Sequence, residues 1–557
     1  MGSAQFPVAE VHEAIAATRP DEVCLVHRDR RLTWAEVTDR TRRLANHLLA
    51  QGLGCRTERT ELLGHESGQD HLAIYLHNCT EYLEAMLGSF KARVAPFNVN
   101  YRYVAEELRY LLTDSQATAI VVHSQFTPTL AAVLRELPAL KVILQVPDSS
   151  ALPLLPGAAW YDDALAAASP QKPAVQWSPD DLYILYTGGT TGMPKGVLWR
   201  NADANVECFG GSTAATLEEV VAAATGGLKA LLAPPFMHGA GHWMSFRAWN
   251  TGGTVFIQQN TDRLDADDIW SMIQDERLNF LLIVGDAFGR PLLDQLDRDV
   301  YDLTSLTVLL SGGAPLSASL KEQFLQHLPT LMIVDGLGSS EAGGQLSHVS
   351  AGAGATTGTF PISPGNHVLS DDLTSELPAG DPELGWLAKS GRLALGYLGD
   401  AAKTARTYPV IDGVRYAVPG DRARLRVDGI IELHGRDSVT INSGGEKIFA
   451  EEVEAALKAH PAVYDCVVAG RPSERWGNEV VAIVRLVDGY DIDEASLRAE
   501  AERHIARYKL PKAFVFVDDV VRSPSGKADY RWAKRMAVDA VDVLHAVDVP
   551  HAADVLD

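Results

Sequence analysis

Residues 187–196, TGGTTGMPKG, constrain this chain more than any other stretch. The apolar run 183–186 (YILY) feeds into them as a strand. Gly188, Gly189 and Gly192 let backbone approach a ligand where a Cβ would clash. Thr187, Thr190 and Thr191 add hydroxyl donors, and Lys195 adds a mobile point charge. Such a loop is suited to cradling phosphate. It is not the G-x-x-x-x-G-K-[ST] loop of P-loop NTPases, because Gly196 follows Lys195 and 197–199 read as strand rather than helix. A glycine- and threonine-rich hairpin turn is the plainer alternative, disfavoured by the length of the run and by its lysine.

A phosphate cradle needs a body to hold it. The 557 residues allow two or three domains, with a core large enough to need no disulfide or metal staple. The formal charge of −23 argues against nucleic acid or an anionic membrane surface as partner, since both favour a basic face. Five widely spaced cysteines without C-x-x-C fit a reducing, cytoplasmic setting. Residues 1–10 lack the basic flank and apolar core of a secretory signal, and no apolar run approaches the ~18 residues that span a bilayer. The sequence is compatible with a homodimer.

The chain predicts an α/β fold, with strands at 71–77, 94–97, 118–122 and 140–146 separated by helices at 81–92 and 105–112. In helix 81–92, Tyr82, Leu83, Met86, Leu87 and Phe90 fall on one side. Residues 52–70 read as a surface excursion. A helix at 267–275 and strands at 279–284 and 305–310 continue the pattern, and 350–365 reads as loop. From Gly435 the texture changes. Helices at 451–459 and 494–507 and strands at 465–469, 479–486 and 513–517 predict a small α+β domain. The tail after Arg535 has no Lys or Arg and reads as frayed helix or disorder.

The glycine–threonine loop resembles the signature of the adenylate-forming superfamily, which includes acyl-CoA synthetases, adenylation domains of peptide synthetases and beetle luciferases. Further blocks follow in the superfamily's order: DGLGSSE at 335–341, YAVPGD at 416–421, GRDSVTINSGGE at 435–446 and SPSGK at 523–527. The loop with Trp199-Arg200 after it looks closest to bacterial synthetases for fatty acids and sterol side chains. The resemblance implies a large N-terminal domain, 1–436, of parallel and mixed sheets flanked by helices. A hinge at Ser438 would join it to a mobile α+β domain, 437–557, with the tail after about 536 disordered.

The resemblance also implies roles. Thr187, Gly188, Gly189, Thr190, Thr191, Gly192 and Lys195 would hold the phosphates of ATP. Gly312, Gly313, Ala314, Pro315, Asp335, Gly336 and Ser340 would surround the nucleotide, with Asp335 at the adenine amino group. Leu337 stands where a tyrosine ring commonly flanks adenine. Glu341 would hold Mg²⁺ against the phosphates, as a hard carboxylate oxygen can. Asp421 would accept from the ribose hydroxyls, and Arg436 would contact ribose and phosphate. Lys527 would span the substrate carboxylate and the α-phosphate, two anions that otherwise repel. With Lys195 and Glu341 it makes up the expected catalytic set. Ser443, Gly444 and Gly445 would line the path of CoA.

On the acid side, 234–247 (PPFMHGAGHWMSFR) interleaves small and aromatic residues and contains no acid to hold an ammonium group. It suits an apolar tunnel, with Phe236, Met237, His238, Gly239 and His242 as candidate acyl contacts. His238 reads equally well as a group orienting the carboxylate and as a core histidine. The expected function is ATP-dependent acyl-CoA synthesis from an apolar carboxylic acid, with CoA and ATP as co-substrates. Delivery to a carrier-protein phosphopantetheine is the alternative. Luciferase-like oxygenation and a silent ligand-binding scaffold are more distant ones.

Overall fold

The computed structural model describes residues 5–187, 193–352, 355–443, 446–473, 476–490 and 492–547, with backbone alone at 438 and 540–547. The alternating strands and helices of the first half become two sheets. One is all parallel, in the order Ala95–Asn98, His71–Tyr75, Ala117–His123, Val142–Val146, Ala159–Trp160. His71–Tyr75 is buried at every position, which is why its sequence runs apolar without alternation.

The other sheet has eight strands. Its inner six are parallel: Met332–Ser339, Val308–Gly312, Phe280–Ile283, Lys229–Leu232, Thr254–Ile257 and Val23–His27. Antiparallel strands Gly343–Ser350 and Arg30–Thr33 close its edges. An antiparallel seven-stranded sheet drawn from residues 359–436 packs beside these. Strands Leu182–Thr187 and Lys195–Arg200 pair as a hairpin and carry Gly396–Tyr397 on one edge.

Helix Thr80–Lys91 differs from its amphipathic reading, because all twelve of its residues are buried. Helix Trp34–Ala50 covers the face the charges mark as outward. Those charges are matched rather than solvated. Arg40 donates to both oxygens of Glu84 at 2.8 and 2.9 Å, and Lys91 lies 2.6 Å from Glu13. Burial of a charge is tolerated only with such a partner.

Beyond Ile441 the chain builds a separate apolar core from residues such as Val453, Leu457, Val468, Ala482 and Leu497. The hairpin Val463–Ser473 and Gly477–Leu486 takes Ala513–Phe516 as a parallel third strand. Residues 52–70 form the expected excursion, with one 3₁₀ turn at Arg59–Glu61 and a bridge between Cys55 and Gln69.

Three further expectations need correction. Residues 350–365 are not all loop: Thr359–Pro361 pairs with 430–432, since an edge position needs backbone groups and few apolar side chains. The helix read over 494–507 stops at Glu502, and a 3₁₀ turn, Arg507–Lys509, follows. The chain after Arg535 does not fray at once. It continues the helix Tyr530–Val547, whose small Ala533 and Ala537 bury against the sheet. Residues 548–557 lie outside the described residues.

Candidate active site

The signature loop sits at the tip of a hairpin. Thr187 pairs with Lys195 across its mouth, so the loop's two ends are fixed in register. Gly188, Gly189, Thr190, Thr191 and Gly192 lie outside the described residues. The side chain of Lys195 stands 3.7 Å from Asp114 and 3.9 Å from Asp400. The sequence showed a mobile charge; the fold gives it two flanking carboxylates.

Gly312 and Gly313 lie where strand Val308–Gly312 ends, at the carboxyl edge of the large sheet, where open parallel sheets bind ligands. Gly313 has a φ of 88°, a conformation that favours glycine. A Cβ on Gly313 would lie 3.8 Å from Cε of Lys527. The carbonyl of Pro315 faces Gly285, where a Cβ would approach it to 2.4 Å, so Ala314-Pro315 and Gly285 form a close backbone crossing.

Asp335 lies on the neighbouring strand, in register with Ser311, and Gly336 lies opposite Gly312. One Asp335 oxygen is taken by buried Lys321, which also donates to the hydroxyl of Thr357 at 3.1 Å. Burial pushes the Asp335 carboxyl up against the pull of Lys321. Lys321 carries no motif signature, and its role in holding Asp335 is visible only in the fold. Leu337 packs with the core of the seven-stranded sheet.

Ser340 and Glu341 form the turn between Met332–Ser339 and Gly343–Ser350. Trp199 donates to the Ser340 carbonyl at 2.7 Å, tying this turn to the hairpin strand. Tyr397 donates its hydroxyl to Oε1 of Glu341 at 2.7 Å. No cluster of three His, Cys, Asp or Glu among the described residues makes a metal cage. Glu341 offers a single carboxylate whose other oxygen accepts no hydrogen bond from a described residue. This suits Mg²⁺ carried mainly by substrate phosphates, the usual state of an ion that dehydrates reluctantly.

Asp421 and Arg436 are cross-strand neighbours, and Arg436 donates from Nε to Oδ1 of Asp421 at 3.1 Å. Asp421 holds the Arg436 pKa above its ordinary value. The next glycine back, Gly435, has a φ of 121°, and a Cβ there would meet Glu451 at 2.5 Å. Glu451 is a half-buried acid whose buried Oε2 has no partner among the described residues, and burial lifts its pKa to about 8. The expected hinge, Ser438, lies in a 3₁₀ turn, Asp437–Val439; its side chain is outside the described residues. Ser443 ends strand Ile441–Ser443, and Gly444 and Gly445 lie outside the described residues.

Lys527 comes into the same cleft from the C-terminal unit. Its loop is closed by hydrogen bonds from Ser523 to the Lys527 carbonyl and from Gly526 to the Ser523 carbonyl. Gly526, with a φ of 73°, packs against Val284 and Ala287 of the large domain. The Lys527 side chain is exposed to solvent. Desolvation and nearby Arg436 lower its pKa to about 8, against the pull of Glu341 and Asp421. Lys458 to Asp286 at 3.2 Å and Tyr464 to Asp294 at 3.0 Å dock the small unit here. None of these four residues had a sequence signal, because the contact joins segments about 170 residues apart.

The acid side is only partly as expected. Phe236 and Met237 are fully buried and face the core, Phe236 against Tyr82. His242 is also buried, bonded to the Phe236 carbonyl at 2.6 Å and to the Tyr183 hydroxyl at 2.5 Å. With both ring nitrogens used, it supports the wall and has no free polar atom to offer. Its neutral form is favoured, with a pKa near 4. His238 is different. Its Nε2 is buried and unpartnered among the described residues, and burial with the nearby Lys527 charge drives its pKa to about 3. Gly239, Ala240, Trp243 and Met244 on helix Gly239–Asn250 are only partly buried, the last three against the core.

Comparison with known proteins identifies the family. The AMP-binding enzyme family matches residues 12–398, and the AMP-binding enzyme C-terminal domain matches residues 452–527. A medium-chain acyl-CoA ligase of Mycobacterium avium is 53% identical over 96% of this chain and 98% of its own. A medium/long-chain-fatty-acid–CoA/3-oxocholest-4-en-26-oate–CoA ligase of Mycolicibacterium smegmatis is 40% identical over 97% and 98%. Among solved structures, ATP-bound MatB from Rhodopseudomonas palustris shares the fold with a TM-score of 0.78 at 23% identity, covering 96% of this chain and all of that one.

Proposed function

The chain belongs to the AMP-binding enzyme family and is an AMP-forming acyl-CoA synthetase, and from that premise we propose that its acids are medium-chain fatty acids. A carboxylate is activated with ATP as an acyl-adenylate. In the proposed scheme the acid's oxygen attacks the α-phosphate, pyrophosphate leaves, and the CoA thiol then displaces AMP from the mixed anhydride.

One observation carries the assignment of roles. Lys527 reaches from the small unit to Gly313 of the large one, within the electrostatic reach of Arg436, Glu341 and Asp421. A cation at that place lowers the repulsion between the acid and the α-phosphate. In the same reading Asp421 and Arg436 bind ribose, Glu341 takes Mg²⁺ with the phosphates, and residues 187–195 cradle them. The division of the chain is at 436/437, and the turn at 437–439 is the hinge that admits CoA after the first step. His238, with its unpartnered nitrogen, faces the acid; His242 holds the wall behind it.

The acid-free stretch 234–247 supports an apolar acid, because an ammonium group there would be buried without a partner. The relative at 53% identity acts on medium chains, which favours them over longer or sterol-derived acids. The ligases at about 40% identity whose names include a 3-oxocholestenoate favour a steroid acid as the second reading. No helix among the described residues is long and apolar enough to cross a membrane. The five cysteines are all unpaired, as a reducing setting would leave them.

The test is acid-dependent pyrophosphate release over octanoate, decanoate, dodecanoate, palmitate, 3-oxocholest-4-en-26-oate and common amino acids. CoA and a holo-carrier protein are then offered side by side to the adenylate. Highest kcat/KM for an eight- to twelve-carbon acid with CoA as acceptor supports the proposal. Highest kcat/KM for the steroid acid selects the second reading, and efficient use of an amino acid overturns both.

A further inference from the structure

We propose that Lys403 is a second phosphate-binding cation, which with Lys195 holds the β- and γ-phosphates of ATP and the pyrophosphate that leaves. The inference rests on the synthetase reading above and adds a residue to it.

Lys403 belongs to helix Ala401–Thr407, on the segment that follows Gly396–Tyr397 beside the signature hairpin. Its Nζ lies 3.9 Å from the centroid of the Tyr397 ring. That ammonium forms no hydrogen bond or salt bridge with any described residue. The ammonium is half-buried, and the charges around it are Glu341, Asp400, Lys195 and Arg406. A cation–π contact satisfies one side of an ammonium and leaves N–H donors free. A half-buried ammonium with free donors, on a wall shared with another lysine, is matched by a polyanion.

Two fixed contacts aim it. Tyr397, which carries Lys403 on its ring, binds Glu341 through its hydroxyl, so one side chain sets the spacing between a candidate metal carboxylate and this cation. Asp400 accepts from the Lys403 backbone N–H at 2.9 Å with one oxygen and stands 3.9 Å from Lys195 Nζ with the other. A single carboxylate thus positions both lysines without pairing the Lys403 ammonium.

The chemistry uses such a pair. A carboxylate oxygen of the acid bonds to the α-phosphorus, and the bond from that phosphorus to the bridging oxygen breaks. The electron pair departs on pyrophosphate, and no proton is transferred. Negative charge therefore grows on the leaving group, where fixed cations stabilise it.

The experiment compares wild type, K403M, K403R and Y397F in ATP kinetics, in inhibition by added magnesium pyrophosphate, and in conversion of supplied acyl-AMP and CoA. The expected result for K403M is a rise in both KM for ATP and the pyrophosphate inhibition constant, on the order of tenfold. K403R should hold both within about threefold, since charge is kept. Y397F, which keeps the ring but frees Glu341, should move the Mg²⁺ requirement more than pyrophosphate inhibition. The acyl-AMP reaction, which involves no pyrophosphate, should stay near wild type in K403M. Unchanged pyrophosphate inhibition in K403M, equal loss of both half-reactions, or failure of K403R to rescue would overturn the proposal. Absence of acid-dependent pyrophosphate release in wild type would instead remove the synthetase reading itself.

Discussion

Arg436 donates to Asp421 at 3.1 Å across two paired strands, so the carboxylate that faces the proposed ribose site is oriented before any nucleotide arrives. Asp421 is buried, while the Arg436 side chain keeps 43% of its exposure and so remains free to meet phosphate. Removing the acid should therefore act on ribose recognition. Asp421→Ala should lower kcat/KM for ATP by about 10- to 100-fold, as expected for a lost hydrogen bond to a charged group. It should also narrow the preference for ATP over 2′-deoxy-ATP. An undiminished preference would place the ribose elsewhere.

The Lys527 pKa near 8 predicts a pH dependence with a definite sign. The ammonium is the useful form and is lost as pH rises through that value. In the free enzyme, kcat/KM for ATP in the adenylation half-reaction should fall above about pH 8. In K527R the fall should disappear, whatever the absolute rate, because a guanidinium does not deprotonate in this range. A wild-type profile flat to about pH 9.5 would contradict the desolvated placement of Lys527 beside Arg436.

Asp286 should matter to one half-reaction only. It takes the Ser317 amide at 2.7 Å with one oxygen and lies 3.2 Å from Lys458 of the small unit with the other. Asp286→Asn can keep the first contact and loses the charge of the second. Adenylation should slow by roughly three- to tenfold, in line with a partly buried ion pair, while thioester formation holds or rises. Equal slowing in both would make the contact a general structural one.

The buried pair Lys91 and Glu13 gives a stability prediction. Lys91 and Arg42 hold the Glu13 carboxyl down at about 2, so Glu13 contributes stability that is complete above its ordinary pKa near 4.5 and is lost as pH falls toward 2. Lys91→Met should cost about 3 kcal/mol at neutral pH, because it strips one partner from a buried acid. Its acid unfolding should begin at higher pH than in wild type. Denaturant unfolding across pH 3–7 measures both, and a variant with wild-type stability would show the pair to be neutral.

The sequence made the architecture legible because long apolar runs such as 71–75 and 280–283 have one plausible fate, a sheet buried on both faces. It made the candidate site legible where chemistry demands fixed residue types in a short span, as at 312–315, 335–341 and 523–527. It failed where a residue's role depends on a distant partner. Lys321 looks like a surface charge until the fold puts Asp335 beside it. Lys403 looks like a helix lysine until Tyr397 is under it. Phe236 and His242 suggested a tunnel lining by their neighbours in sequence, yet the turn before helix Gly239–Asn250 and the helix itself place them inward, toward Tyr82 and Tyr183. The burial of Glu84 and Lys91 was hidden for the same reason: their partners, Arg40 and Glu13, lie 44 and 78 positions away.

The central claim is that Lys527 crosses from one domain to the other to serve adenylation alone, and separating the half-reactions of Lys527→Ala tests it most directly. Single-turnover rates would be measured first with acid and MgATP, then with supplied acyl-AMP and CoA. The account predicts a loss on the order of 10²–10³-fold in the first, the scale of removing one electrostatic donor from a transition state. It predicts a rate close to wild type in the second, where the anhydride is already activated. Comparable losses in both, or a larger loss in the thioester step, would contradict it.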